Sequence, residues 1–177
     1  MSSQPTDGDR LLIRRLGADD SMALLTQLVH EAYAPHATSG LRFWGTHQSV
    51  EDTTQRLASG IALVALIDDT AVGTVTLRRP SPNSPVPAYR DPATWSICQL
   101  AVRPTHKGRG IGWALHAAAA SIANEHKATT LALDTAAPAT ALIGMYERWG
   151  YRIVGDHDWR PHTNYPSVVM TRSLNAP

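Results

Sequence analysis

The sequence predicts an α/β fold of the α+β kind: one domain in which a mixed β-sheet is flanked by four helices. Three observations carry that expectation. At 177 residues with 43% apolar side chains, the chain has the length of one ordinary domain and enough apolar content for one core. Helical spacing and short apolar runs succeed one another in the order β-α-α-β-β-β-α-β-α-β-β. In the middle of that order a glycine-rich turn, Lys107-Gly108-Arg109-Gly110-Ile111-Gly112, joins a buried strand to a helix.

Residues 1–9 lack the apolar core of a signal peptide and read as a disordered tail, with the domain spanning residues 10–174. Residues 11–16 read as an edge strand. Asp19 or Asp20 offers an N-cap to a first helix that carries Met22, Leu25, Leu28, Val29 and Tyr33 and is expected to stop near Pro35. A loop follows to Gln48. Ser49-Val50-Glu51-Asp52 then opens a second, short helix through Ala58, closed by Gly60. Residues 61–67 are apolar throughout and predict a buried strand; Asp68-Asp69 turns it, and residues 71–77 return.

Pro80, Pro82, Pro85, Pro87 and Pro92 exclude helix and central strand from residues 79–93, which predicts an extended, partly polyproline-like excursion that is either functional or mobile. Residues 95–102 form the expected central strand, and a third helix runs over 110–127. Residues 129–134 read as another buried strand and 139–149 as a fourth helix ended by Gly150. Residues 151–154 and 167–173 close the sheet as antiparallel strands, joined by a loop with His157, Trp159, His162 and Tyr165.

The glycine turn carries the chemistry. Glycines at 108, 110 and 112 let backbone N–H groups approach a ligand closely. The helix that follows adds unpaired N–H groups and partial positive charge, so the stretch suits a phosphate or pyrophosphate. Arg103, Lys107 and Arg109 surround it with charge. A nucleotide P-loop, GxxxxGK followed by Ser or Thr, is absent. A dinucleotide fingerprint fails because its third glycine position holds Trp113 or Leu115.

Leu100-Ala101-Val102-Arg103-Pro104 followed by Lys107-Gly108-Arg109-Gly110-Ile111-Gly112 resembles the acyl-CoA-binding motif of the GNAT-type N-acetyltransferases, with Lys107 where that family prefers Gln or Arg. Residues 142–151 resemble the family's second landmark, N-x-x-A-x-x-L-Y-E-K-x-G-F. Tyr146, Glu147, Gly150 and Tyr151 match, while Ala139, Leu142 and Met145 replace the usual Asn, Ala and Leu. The resemblance covers about residues 10 to 174. It implies a sheet splayed at its middle and acetyl-CoA as cosubstrate, held by Leu100, Ala101, Val102, Lys107, Gly108, Arg109, Gly110, Ile111, Gly112 and Trp113. It also implies that a main-chain N–H near Leu100 or Ala101 polarises the thioester carbonyl, and that Tyr146 is the acid for the leaving thiolate.

The sequence names no base. Ser96 and Cys98 occupy the central-strand positions where related enzymes place Glu or His, and Cys98 reads as packing. His30, Glu31, His36, His47, Asp156, His157 and His162 fall in segments expected to flank the acceptor. Phe43, Trp44, Trp159 and Tyr165 are candidates for its apolar wall. The expected acceptor is the primary amine of a small molecule. A protein N-terminus or lysine is the alternative within the class, and a non-catalytic acyl-CoA-binding module the alternative outside it.

A net charge of +1 gives no argument for nucleic acid or an anionic membrane. No apolar run reaches membrane-spanning length. One cysteine excludes an internal disulfide and fits a reducing cytoplasm. No metal is expected, and a homodimer is left open.

Overall fold

The computed structural model describes residues 10–175; the expected tail, residues 1–9, lies outside the described residues. Eleven longer elements follow one another: β1 (Leu11–Arg15), α1 (Met22–Thr38), α2 (Val50–Ala58), β2 (Ile61–Ile67), β3 (Thr70–Arg78), β4 (Thr94–Val102), α3 (Ile111–Glu125), β5 (Thr130–Ala136), α4 (Thr140–Arg148), β6 (Arg152–Asp158) and β7 (Pro166–Ser173). The strands form one sheet in the order β1-β2-β3-β4-β5-β7-β6. All neighbours are antiparallel except β4 and β5, which are parallel.

That parallel pair opens the sheet. It is joined only from Thr94↔Thr130 to Ser96↔Ala132. Beyond Ser96, β4 continues to Val102 and β5 continues to Ala136 without pairing with each other. The expected splay is therefore present, and it leaves strand edges whose backbone groups need other partners.

Two apolar layers sandwich the sheet. On one face Trp95, Ile97, Leu131 and Leu133 pack with Leu115, Ala119 and Tyr146 of α3 and α4. On the other, Ala62, Val64 and Ala101 pack with Leu25, Leu28, Val29 and Leu57 of α1 and α2. The strand β4 changes face between these layers. Its register to β3 slips by one residue between the Thr74↔Ala101 and Thr76↔Cys98 pairs, and Gln99 in the bulge has φ 54°. The bulge explains why Ile97 and Ala101, four residues apart, lie in opposite layers.

Several boundaries differ from expectation. Ser21, not Asp19 or Asp20, caps α1 by accepting from Leu24 N–H, because Asp20 is engaged by Arg14 and by the Gly17 N–H. The helix passes Pro35 and runs to Thr38. In the last turn a proline removes one hydrogen bond without ending the helix, and the chain stops where Leu41 N–H meets His36 O and Gly40 N–H meets Ala37 O. The strand β6 extends to Asp158, well beyond residue 154, and takes His157 with it.

The proline-rich segment is not extended throughout. Ser81 N–H bonds Tyr89 O at 2.7 Å, Pro87–Arg90 forms a 3₁₀ turn, and Val86 is fully buried.

Candidate active site

One cavity, of about 430 Å³, lies where the β4 edge meets the start of α3. Leu100, Ala101, Val102, Lys107, Gly108, Gly110, Ile111, Gly112 and Trp113 all line it. Gly108 and Gly110 have φ of 77° and 76°, a left-handed backbone that residues with a Cβ adopt at a cost. An added Cβ at either would project into open space, so the turn presents bare backbone to the cavity. Gly110 is also the N-cap of α3, which has no side-chain cap, so the first N–H groups of the helix keep their capacity to bind a ligand. These features fit the pyrophosphate of a CoA thioester, and Lys107 adds its charge to them.

The flanking arginines differ from Lys107. Arg103 is held by Glu31 and by Ala71 O at 3.0 Å, and it does not line the cavity. Arg109 is likewise not among the lining residues.

Behind the turn is an aromatic cluster. Trp113 is 43% exposed and its ring lies 5.1 Å from that of His116 and 5.4 Å from that of Trp149. His116 is fully buried, and its Nε2 pairs with the Tyr151 hydroxyl at 2.9 Å. Burial pushes the His116 imidazole down to about 4, with Arg172 adding to the effect, so it is neutral at physiological pH.

A second cavity, of about 310 Å³, lies on the other side of the splay. Phe43, Trp44, Trp159 and Tyr165 line it, as do Cys98 and Gln99 of the β4 bulge. Its charged lining residues are Arg56, Arg78 and Asp134. Asp134 stands on β5 just past the last pair with β4. Its Oδ1 accepts from the Tyr89 hydroxyl at 2.5 Å and its Oδ2 from Trp159 Nε1 at 2.9 Å. The proline-rich segment thus delivers Tyr89 to the site and fixes the carboxylate. Gln99 is held from behind: its Oε1 accepts from Gln48 Nε2 at 2.9 Å, and Gln48 in turn donates to Thr53.

Tyr33, Leu100, Leu142 and Tyr146 line both cavities. They mark the junction. Tyr33 donates its hydroxyl to Leu100 O at 3.0 Å, which ties α1 to the β4 bulge. Tyr146 is 8% exposed, its ring set edge-on to Trp149 and Tyr151. Its hydroxyl has no hydrogen-bond partner among the described residues. Burial, reinforced by Tyr33, Tyr151 and Asp134, pushes the Tyr146 phenol well above its usual value. It therefore carries its proton throughout the neutral range.

Of the residues considered as a base, none except His36 lines either cavity, and His36 faces the first. His30 Nε2 pairs with Gln48 O, Glu31 pairs with Arg103, His157 packs on Trp159 and His162 on Trp44. Cys98 is half-buried on the cavity wall, not in the core. Asp134, Arg56, Arg78 and Tyr89 escaped the sequence reading. Asp134 looks like the polar end of an apolar strand, and only the splay turns it toward a cavity.

A splayed mixed sheet with a glycine turn opening α3, and two cavities meeting at a protonated tyrosine, defines an acyl-CoA-dependent transferase. Known proteins agree. The model of the acetyltransferase (GNAT) family matches residues 24–151. S-(2-succino)cysteine N-acetyltransferase of Bacillus subtilis (strain 168) is 30% identical over 146 residues, 81% of this chain and 86% of that protein. The chain belongs to the GNAT acetyltransferase family and is an acetyl-CoA-dependent acyltransferase.

Solved structures share the fold at low identity. The ribosomal-protein-S18-alanine N-acetyltransferase of Escherichia coli superposes with a TM-score of 0.71 at 14% identity, over 95% of this chain and 96% of that one. PH1933 of Pyrococcus horikoshii OT3 gives 0.73 at 18%, over 94% and 100%. A GNAT family acetyltransferase of Elizabethkingia anophelis, solved with acetyl-CoA bound, gives 0.67 at 18%, over 95% and 99%. Among the described residues no helix is long and apolar enough to cross a membrane.

Proposed function

We propose that the chain transfers acetyl from acetyl-CoA to the primary amine of a small molecule, by direct attack within a ternary complex. The observation that carries this reading is the junction: Tyr33, Leu100, Leu142 and Tyr146 belong to both cavities, so two ligands can meet there. The aromatic-walled second cavity suits a small acceptor. The B. subtilis relative, named for acetylating S-(2-succino)cysteine, supports the same choice over a protein acceptor.

Acetyl-CoA supplies the activated acetyl group. Backbone N–H groups from Gly108 to Trp113 receive its pyrophosphate, and the unpaired edge of β4 receives its pantetheine arm. Ala139 stands where the family usually has Asn, so main-chain groups take over that contact. A main-chain N–H at Leu100 or Ala101 stabilises charge developing on the thioester oxygen. Asp134, fixed by Tyr89 and Trp159, holds the acceptor ammonium and takes its proton to free the lone pair. Tyr146 gives its proton from Oη to the departing sulfur. One C–N bond forms and one C–S bond breaks; the nitrogen gives up two protons, the first through Asp134 to solvent and the second, lost as the amide forms, replacing on Tyr146 the one that the thiol gains.

Release of CoA is measured with a panel of small primary amines, including S-(2-succino)cysteine, beside N-terminal and lysyl peptides. Intersecting initial-rate patterns with a small amine are expected. Parallel patterns would contradict direct attack, and turnover of peptides alone would move the acceptor to proteins.

A further inference from the structure

Arg56 and Arg78 are the two positive side chains of the acceptor cavity, against one carboxylate, Asp134. Asp134 is already bonded by Tyr89 and Trp159. Neither arginine forms an ion pair among the described residues. Arg56 Nε is buried and has no hydrogen-bond partner there either. A half-buried guanidinium without an anion is costly, and its planar fork is built for a carboxylate.

Both side chains are held in place. The Arg56 guanidinium carbon lies 5.8 Å from the centroid of the Trp44 ring, within cation–π range. Ser59 ties the two residues together. Its hydroxyl donates to Arg56 O at 2.6 Å and accepts from Arg78 Nε at 2.8 Å. The terminal N–H groups of Arg78 remain for a ligand. The end of α2 and the end of β3 thus deliver two forks to one cavity, which also holds the anionic Asp134.

We infer that the acceptor is an amino acid bearing two carboxylates, which Arg56 and Arg78 hold while its amine meets Asp134 at the junction. The inference rests on the acyl-transfer reading and narrows its substrate class. Two cations against one anion disfavour a polyamine or any other polycationic acceptor. A lysine side chain in a peptide would leave both forks without a carboxylate. Ser59 is a positioning residue for the pair.

The test has two arms on the full chain. In the first, kcat/KM is compared for L-glutamate, L-2-aminoadipate and a thioether amino diacid, each against its methyl esters. At least one diacid should exceed its diester more than tenfold. Arg56→Gln and Arg78→Gln should each raise the diacid KM about tenfold or more while acetyl-CoA affinity and melting temperature stay near wild type. Arg56→Lys and Arg78→Lys, which keep the charge and lose the fork, should fall between.

The second arm needs no chemistry: calorimetry of the corresponding N-acetyl diacids against the CoA-saturated protein, wild type and variants. Binding that the Gln variants abolish, without turnover of any amine, would keep the recognition and remove the transfer reading. Turnover of diesters equal to that of diacids, or a diacid preference unchanged in both Gln variants, would overturn the recognition and leave transfer standing. No diacid turnover and no binding of the N-acetyl diacids would overturn the recognition as well.

Discussion

The cavity proposed for the cofactor and the one proposed for the acceptor share four residues and are made of different materials. The first draws on one continuous stretch, residues 100–113, with added walls from α1 and α4. Much of what it presents is backbone: two left-handed glycines and the uncapped start of α3. The second gathers side chains from α1, α2, β3, β4, β5, α4 and the loop before β7. Its polar groups are fixed by bonds between segments distant in sequence, such as Tyr89 with Asp134 and Gln48 with Gln99. On the proposed reading, a ligand common to a whole family would be met by main chain, and a ligand particular to this chain by side chains that can change one at a time.

That contrast can be broken in several ways, and the largest expected effect is on stability. His116, inside α3, packs behind the glycine turn against Trp113 and Tyr151. Its folded value of about 4 lies below the ordinary 6.5, so the unfolded chain binds a proton that the folded chain refuses between those pH values. Stability is therefore full above pH 6.5 and falls as pH drops toward 4, by about 3 kcal/mol in total. Thermal melts from pH 7.5 to 4 should show His116→Gln losing less stability on acidification than wild type. Equal slopes would mean that His116 is not held neutral.

The next effect falls on the junction. Tyr146→Phe keeps the ring and removes the donor. Acetyl-CoA affinity should change little, and single-turnover transfer should slow by roughly 10²-fold, the low range for a positioned acid. A drop in melting temperature with an unchanged transfer rate would make Tyr146 a packing residue only.

On the cofactor side alone, Gly110→Val forces a branched residue to φ 76°. That costs about 1–2 kcal/mol if the turn is kept. If the turn relaxes instead, acetyl-CoA should bind roughly tenfold more weakly, by calorimetry, at nearly unchanged acceptor KM. Equal damage to both substrates would mean that the halves are not separable. The smallest effect is at Lys107, the lining cation of the turn. Lys107→Ala should weaken acetyl-CoA binding only several-fold, in line with about 1 kcal/mol for an exposed charge pair, and less so as salt is raised. A loss indifferent to salt would point to damage in the turn itself.

The same contrast governs what was legible in the sequence. The cofactor half could be read because strand, glycine turn and helix are contiguous, and each glycine position has a local reason. The apolar runs gave the strands, and Ser49-Val50-Glu51-Asp52 gave α2, whose capping box is present. The face change at Gln99 could not be read, because nothing in WSICQLAV marks where a bulge falls. Asp20 looked like a cap until Arg14, six residues earlier, claimed it. Arg56 reads as a residue of an ordinary polar helix and Arg78 as a strand end. They become a pair only when Ser59 joins them in space. Tyr89 was hidden by its prolines, which announce a loop and say nothing of where its side chains land.

The central claim is that transfer occurs where the two cavities meet. A crystal structure with acetyl-CoA tests it most directly. The account predicts the pyrophosphate on the N–H groups of Gly108 to Trp113, the pantetheine along β4 beyond Ser96, and the thioester sulfur within hydrogen-bond reach of Tyr146 Oη. Its acetyl group should face Asp134 across the junction. A cofactor bound with its thioester outside the junction, away from both Tyr146 and the acceptor cavity, would contradict it.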